Sequence, residues 1–495
     1  MGLDLLNMAT RSRTRKSSIS QASTPLTANS TSSSKAPSAS SSSTSLSSMA
    51  LVNEKSRKPM LDTYGNEFEF PDFTIKQIRD AIPTHCYKSS TLRSLGYVAR
   101  DLALVSSNFY AFKFHIIPAL AEYHPASRFV AWGVYSFVQG LFATGLWVLA
   151  HECGHGAFSP SKTVNDLVGW VLHSSLLVPF WSWKISHGKH HKATGNLERD
   201  MVFVPKSREE YSRRYAGGIG HDIAELTEET PIATLVHLIG QQLLGWPMYL
   251  VNNVTGHPYH ERQSEGRGIG KRNGWFGGVN HFDPRSPLYE NRDAKWILLS
   301  DVGIAVMMYF LYQAVQIWGL ANIAIWYIGP YLWVNHWLVA ITFLQHTDPS
   351  LPHYHPESWT YTRGAAATID REFGFIGRHL LHGIIETHVA HHFVSSIPFY
   401  KADEATEAIK KVMGKHYRSD TEGGPAGFLC ALWRSSRWCQ FVEPSEGADG
   451  EEKGVVFFRN RNGLGVPPVS REIVSEVSFE KEGPVVQVME VSDSE

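Results

Sequence analysis

The chain has 495 residues, room for two or three ordinary domains or for one large domain with tails. Its formal charge of −1 excludes electrostatic binding to nucleic acid, while 43% hydrophobic residues leave a large core or a membrane domain open. The four cysteines (Cys86, Cys153, Cys430 and Cys439) form no CxxC pair, which argues against a disulfide framework or a thiolate zinc site and for free thiols in a reducing compartment.

Residues 1–58 are dominated by Ser, Thr and Ala, with basic Arg11, Arg13, Arg15 and Lys16. Such a segment buries too little apolar surface to offset chain ordering and lacks the apolar core of a secretory signal, so it reads as a disordered cytosolic tail. Four apolar stretches then approach the length of about 20 residues that a helix needs to cross a bilayer. The first, roughly 100–120, carries Arg100, Asp101, Lys113 and His115; the second, 128–150, has no charge between its ends. The third, roughly 296–316, holds Asp301 near its start, and the fourth, roughly 320–344, has no charged residue. Two more stretches, 166–183 and 231–254, are interrupted by His173 and Pro179 or by His237 and Pro247, and read as interfacial helices.

These stretches pair into hairpins closed near 121–127 and 317–319, where Lys and Arg are almost absent. The basic residues concentrate in the N-terminal tail, in 184–295 and in the C-terminal part, which places all three on the cytosolic side. The expected fold is an all-α integral membrane protein. Two transmembrane hairpins, four spans in all, carry interfacial helices and a cytosolic helical cap over residues 59–445, followed by a flexible acidic tail over 446–495.

Three histidine groups fall on that cytosolic side: His151-Glu-Cys-Gly-His155, His187-Gly-Lys-His190-His191 and His388-Val-Ala-His391-His392. Side chains three or four apart on a helix share a face, so each group presents at least two imidazoles to one point. Eight imidazoles are too many for one zinc, which takes four ligands; shared between two metals, they leave room for oxygen or water. Nitrogen donors suit Fe, Cu, Zn or Ni, and a redox pair is favoured because the site adjoins lipid chains. The first group also matches HExxH, the zinc-protease pattern, but a protease has no use for two HxxHH groups. Glu152, Asp200 and Glu386 stand close enough in sequence to orient imidazoles through their second ring nitrogen.

The three groups, in this order around two apolar hairpins, resemble the membrane fatty-acid desaturases. The phrases HSSLLVPFWSWKISHGKHHKATGN, QHTDPSLPHY and FIGRHLLHGIIETHVAHHFVSSIPFY are similar to those of fungal oleate desaturases acting at the Δ12 position. The resemblance spans roughly residues 60–460. It implies a ninth ligand, His346, with His336, His353 and His355 as nearby rivals. The asparagine that some relatives carry four residues before that histidine is here Thr342. It further implies two iron ions, O2 as co-substrate, an oleoyl lipid or acyl-CoA desaturated to linoleoyl, and residence in the endoplasmic reticulum membrane. No haem-binding pair is seen in the C-terminal part, so electrons are expected from a separate cytochrome b5 and its reductase. An ω3 or dual Δ12/ω3 desaturase and an acyl hydroxylase share these motifs and stay open.

Overall fold

The computed structural model describes residues 58–215, 231–257 and 278–469. All but the last residue of the Ser-rich tail, and the acidic terminus from 470 on, lie outside the described residues.

The order of elements begins with α1 (Ile75–Ala81), opened by a reciprocal Thr74–Gln77 capping box, and a 3-10 turn at Thr84–Tyr87. Helix α2 (Thr91–Ala111) runs through a π turn at Phe112–Ile116. Helix α3 (Pro125–His155) starts on a proline, whose missing N–H costs nothing there, and stops at Gly156, whose φ of 74° suits a residue without a Cβ. After it come α4 (Lys162–Ser175), α5 (Phe180–Ala193), α6 (Arg208–Tyr215), α7 (Pro231–Asn252) and α8 (Ala294–Trp318). A second π turn, Ala324–Ile328, leads into α9 (Gly329–His346). The last helices are α10 (Tyr361–Ala366), α11 (His388–Phe393), α12 (Ala402–Met413) and α13 (Gly424–Trp438).

Helix α3 is the axis of the molecule: α2, α4 and α9 all pack against it. Its inner half is buried in a cluster that includes Trp147, Trp183, Trp246 and Trp337. Gly140 permits the closest of these approaches, since a Cβ there would stand 2.3 Å from Trp333 Cβ. The inner end of α3 is thereby fixed against α5 and α9, and all three carry histidines.

Among the described residues, two helical stretches are long and apolar enough to cross a membrane: Pro125–His155 and Asn291–Trp318. The other two expected stretches are helical, but π turns divide them and charges interrupt the first. Helix α8 leaves Val302, Val306, Met308, Phe310, Ile317 and Trp318 exposed, and α7 leaves Ile232, Leu235, Val236 and Ile239 exposed. Apolar faces of that extent mark contact with lipid or protein rather than water. Asn253 is buried, its side-chain amide donating to Met201 O.

Two departures from an all-α fold are small. Strands β1 (Pro352–Tyr354), β4 (Phe441–Pro444) and β5 (Val455–Arg459) form an antiparallel sheet in the order β1-β5-β4. A two-residue parallel pair joins β2 (Asp370–Arg371) to β3 (Ser419–Asp420). Strand β5 corrects the expectation of a flexible tail from 446 for this part of it: Val455, Val456, Phe457 and Phe458 are buried, and the acidic run before them is a largely exposed connection. An apolar run of β-branched and aromatic residues completes a sheet; the acidic composition around it masked that signal.

Candidate metal centre

Four helices, α3, α5, α9 and α11, meet at the inner end of α3 and bring all nine histidines of the sequence reading into one cluster. The last turn of α3 presents His151 and His155, α5 presents His187, His190 and His191, His346 ends α9, and α11 presents His388, His391 and His392.

They fall into two sets. In the first, one ring nitrogen from each of His151, His155, His187, His191 and His391 lies within 4.8 Å of all the others. Nε2 of His187 is 3.1 Å from Nε2 of both His151 and His191. In the second, His190, His346 and His392 meet the same 4.8 Å limit. His346 Nε2 lies 3.3 Å from His190 Nε2 and 3.1 Å from His388 Nε2, which brings His388 into this set.

Burial, reinforced by neighbouring imidazoles, holds His187, His191, His388 and His392 well below the ordinary histidine pKa, and burial pushes His391 down to about 3. Neutral rings each keep one bare lone pair, the form that binds a metal. The Nε2 atoms of His155, His391 and His392 are buried with no hydrogen-bond partner. A buried polar atom left unpaired costs about 1–3 kcal/mol, so several aimed at common points fit a site that a cation completes.

Outer partners fix ring orientation in the second set. His190 Nδ1 donates to Asp200 Oδ2 at 2.8 Å. Thr194 Oγ1 donates to His190 O and so accepts from His392 Nδ1 at 3.0 Å. Both rings are thereby held with Nε2 turned inward. Asp370 Oδ1 accepts from Val389 N and anchors α11. Arg371, 1% exposed, donates to Leu344 O and pairs with Asp348 and Asp420, clasping the end of α9 beside His346. The first set is held by rings instead. Trp183 stacks on His187 at 4.5 Å and Trp147 on His151 at 5.7 Å between centroids.

The three carboxylates of the sequence reading separate here. Asp200 reaches an imidazole. Glu152 has an oxygen 3.3 Å from His151 Nδ1 without hydrogen-bond alignment, and accepts from Phe399 N. Glu386 accepts from Phe373 N, so it braces backbone rather than a ring. A small cavity of about 20 Å³ lies beside Glu152 and His391, closed by Val148, Ile384, Ala390 and Val394. The rival histidines stand apart from the cluster: His353 lies against Phe203 and Phe458, and His336 against Trp333 and Trp337. Thr342 is exposed and donates to Leu338 O. Thr194, Asp370, Arg371 and the two tryptophans were missed by the sequence reading. Thr194 stands three residues past His191, and Trp147 and Trp183 stand one helical turn before His151 and His187, whereas Asp370 and Arg371 lie near no motif.

The fatty acid desaturase family model matches residues 127–424, and a domain-of-unknown-function model (DUF3474) matches 4–108. The chain is 59% identical over 429 residues to an oleate hydroxylase of Claviceps purpurea, covering 86% of this chain and 90% of that one. It is 44% identical over 415 residues to a Delta(12) fatty acid desaturase of Mortierella alpina, covering 82% and 94%. An omega-6 fatty acid desaturase, endoplasmic reticulum isozyme 2, of Glycine max is 41% identical over 398 residues, covering 80% and 93%. With its clustered histidines and these relatives, the chain belongs to the fatty acid desaturase family and is an oxidoreductase.

Proposed function

We propose that the enzyme oxidises the Δ12 position of oleoyl chains and introduces a cis double bond to give linoleoyl chains. The observation that carries this reading is the convergence of nine imidazoles in two sets at the buried end of α3. His151, His155, His187, His191 and His391 would hold one iron ion, and His190, His346, His388 and His392 the other. Such a pair, when bound, supplies from O2 the oxidising power to remove hydrogen from an unactivated methylene. The chain's own residues do the rest. They keep the lone pairs aimed, exclude bulk water, and hold the acyl chain in a register where a small displacement changes the reacting carbon.

The exposed apolar faces of α7 and α8 support a membrane setting, with four crossings, both termini and the histidines on the cytosolic side of the endoplasmic reticulum. A separate cytochrome b5 and its reductase would deliver electrons to that side, and the acyl chain would arrive as a phospholipid or as acyl-CoA.

A second reading, oleate hydroxylase, is favoured by the 59% identity to the Claviceps purpurea enzyme. Yeast that makes no polyunsaturates, expressing this chain or its His391→Ala variant, separates the two. Linoleate with the wild type alone supports desaturation, and added linolenate makes the enzyme a dual Δ12/ω3 desaturase. Hydroxylated oleate without linoleate assigns the hydroxylase.

A further inference from the structure

We propose that His85, Cys86 and Glu404 form a second metal site, apart from the histidine cluster, that takes a divalent cation of the zinc class. His85 and Cys86 sit in the 3-10 turn between α1 and α2, and Glu404 in the first turn of α12. Their donor atoms all lie within 4.8 Å of one another. His85 Nε2 is 2.8 Å from Glu404 Oε2 and 3.7 Å from Cys86 Sγ. With zinc–sulfur bonds of about 2.3 Å and zinc–nitrogen or –oxygen bonds of about 2.0–2.1 Å, tetrahedral donors stand roughly 3.3–3.6 Å apart. The two separations from His85 need to change by only about half an ångström or less to reach that arrangement.

The donor set of one nitrogen, one sulfur and one oxygen selects a borderline-soft ion over Mg2+ or Ca2+. Exposure is graded across it: the Cys86 side chain is fully buried, while those of His85 and Glu404 are 57% and 52% exposed. The sulfur thus forms the floor of a site whose fourth position faces solvent. Burial and the nearby Glu404 carboxylate push the Cys86 thiol up, so it keeps its proton until a cation displaces it. Lys401 holds the turn in place, donating to His85 O and Lys88 O.

Cys86 belongs to the apolar cluster that also contains Val389, Ala390 and Phe393 of α11 and Ala405 of α12. A cation bound here would tie the turn before α2 to the helix that follows the third histidine group. The site does not depend on the reaction assigned above.

Co2+ titration of the full-length, metal-stripped protein in detergent tests this, because a thiolate–cobalt charge-transfer band reports sulfur ligation and imidazoles do not produce it. The expected result is a band that saturates, persists in His391→Ala and Cys153→Ser, bleaches when Zn2+ is added and is lost in Cys86→Ser. In Glu404→Gln, a change at an exposed carboxylate that leaves the core intact, half-saturation should move to about tenfold higher Co2+ or more. No band at saturation, a band that survives Cys86→Ser, or an unchanged titration in Glu404→Gln would each overturn the proposal.

Discussion

The imidazoles around His346 are buried throughout, whereas His155 and His187 of the other set are half-buried, and different forces hold the two sets. Around His187 the neighbours are aromatic: Trp183 and Trp147 cover two rings, and Nδ1 of His151 and of His191 has no hydrogen-bond partner. Around His346 the neighbours are polar: Asp200 and Thr194 each fix a ring, and Arg371 and Asp370 fix the backbones of α9 and α11. Packing tolerates a replacement of similar shape, whereas a hydrogen-bonded ring deprived of its acceptor loses its tautomer and leaves a polar atom unpaired. The polar set should therefore be the more sensitive to small changes in its surroundings.

The largest expected effect does not distinguish the sets. His391→Ala and His388→Ala should each reduce product in expressing yeast to background, because each removes an inward-facing nitrogen. Arg371→Met comes next. It strands the buried Asp348 carboxylate, and breaking such a pair costs about 3–5 kcal/mol, visible as a lower melting temperature and less recovered protein. The sets part company at their outer partners. Asp200→Asn should weaken metal retention against a chelator by about 10–100-fold and Thr194→Val by about tenfold. Trp183→Phe, which keeps a ring over His187, should cost about 0.5–1.5 kcal/mol and thus at most about tenfold. A larger loss in Trp183→Phe than in Asp200→Asn would break the comparison.

The smallest effect is on pH dependence. Burial raises the Glu386 carboxyl from 4.5 to about 7, so the folded chain holds a proton that the unfolded chain has released between those values. Stability then falls as pH rises from about 4.5 towards 7, by at most about 1.4 kcal/mol per pH unit, and levels off above. Glu386→Gln should flatten thermal melts across this window while keeping the Phe373 amide contact.

What the sequence made legible was local. HECGH, HGKHH and HVAHH fix which side of a helix turn bears imidazoles, since spacing of three or four positions is a property of the helix itself. His346 needed a family resemblance, being one histidine among several near the end of α9. Arg371 and Asp370 were invisible because their contacts with Leu344, Asp348, Asp420 and Val389 join parts of the chain whose meeting no periodicity encodes. The same limit hid the pairing of β5 with β1, which comes from before α10. At 100–120 and 320–344 hydropathy gave no sign of the π turns that interrupt the α-helical hydrogen bonding within each stretch.

The most direct test of the central claim is iron content per chain in protein purified active from iron-replete cells, measured beside His391→Ala and His346→Ala. The account requires close to two irons in the wild type, with iron lost from both variants. Active wild-type protein without iron, or with a single zinc whose retention depends on His151 and His155 but not on His346 or His391, would contradict it.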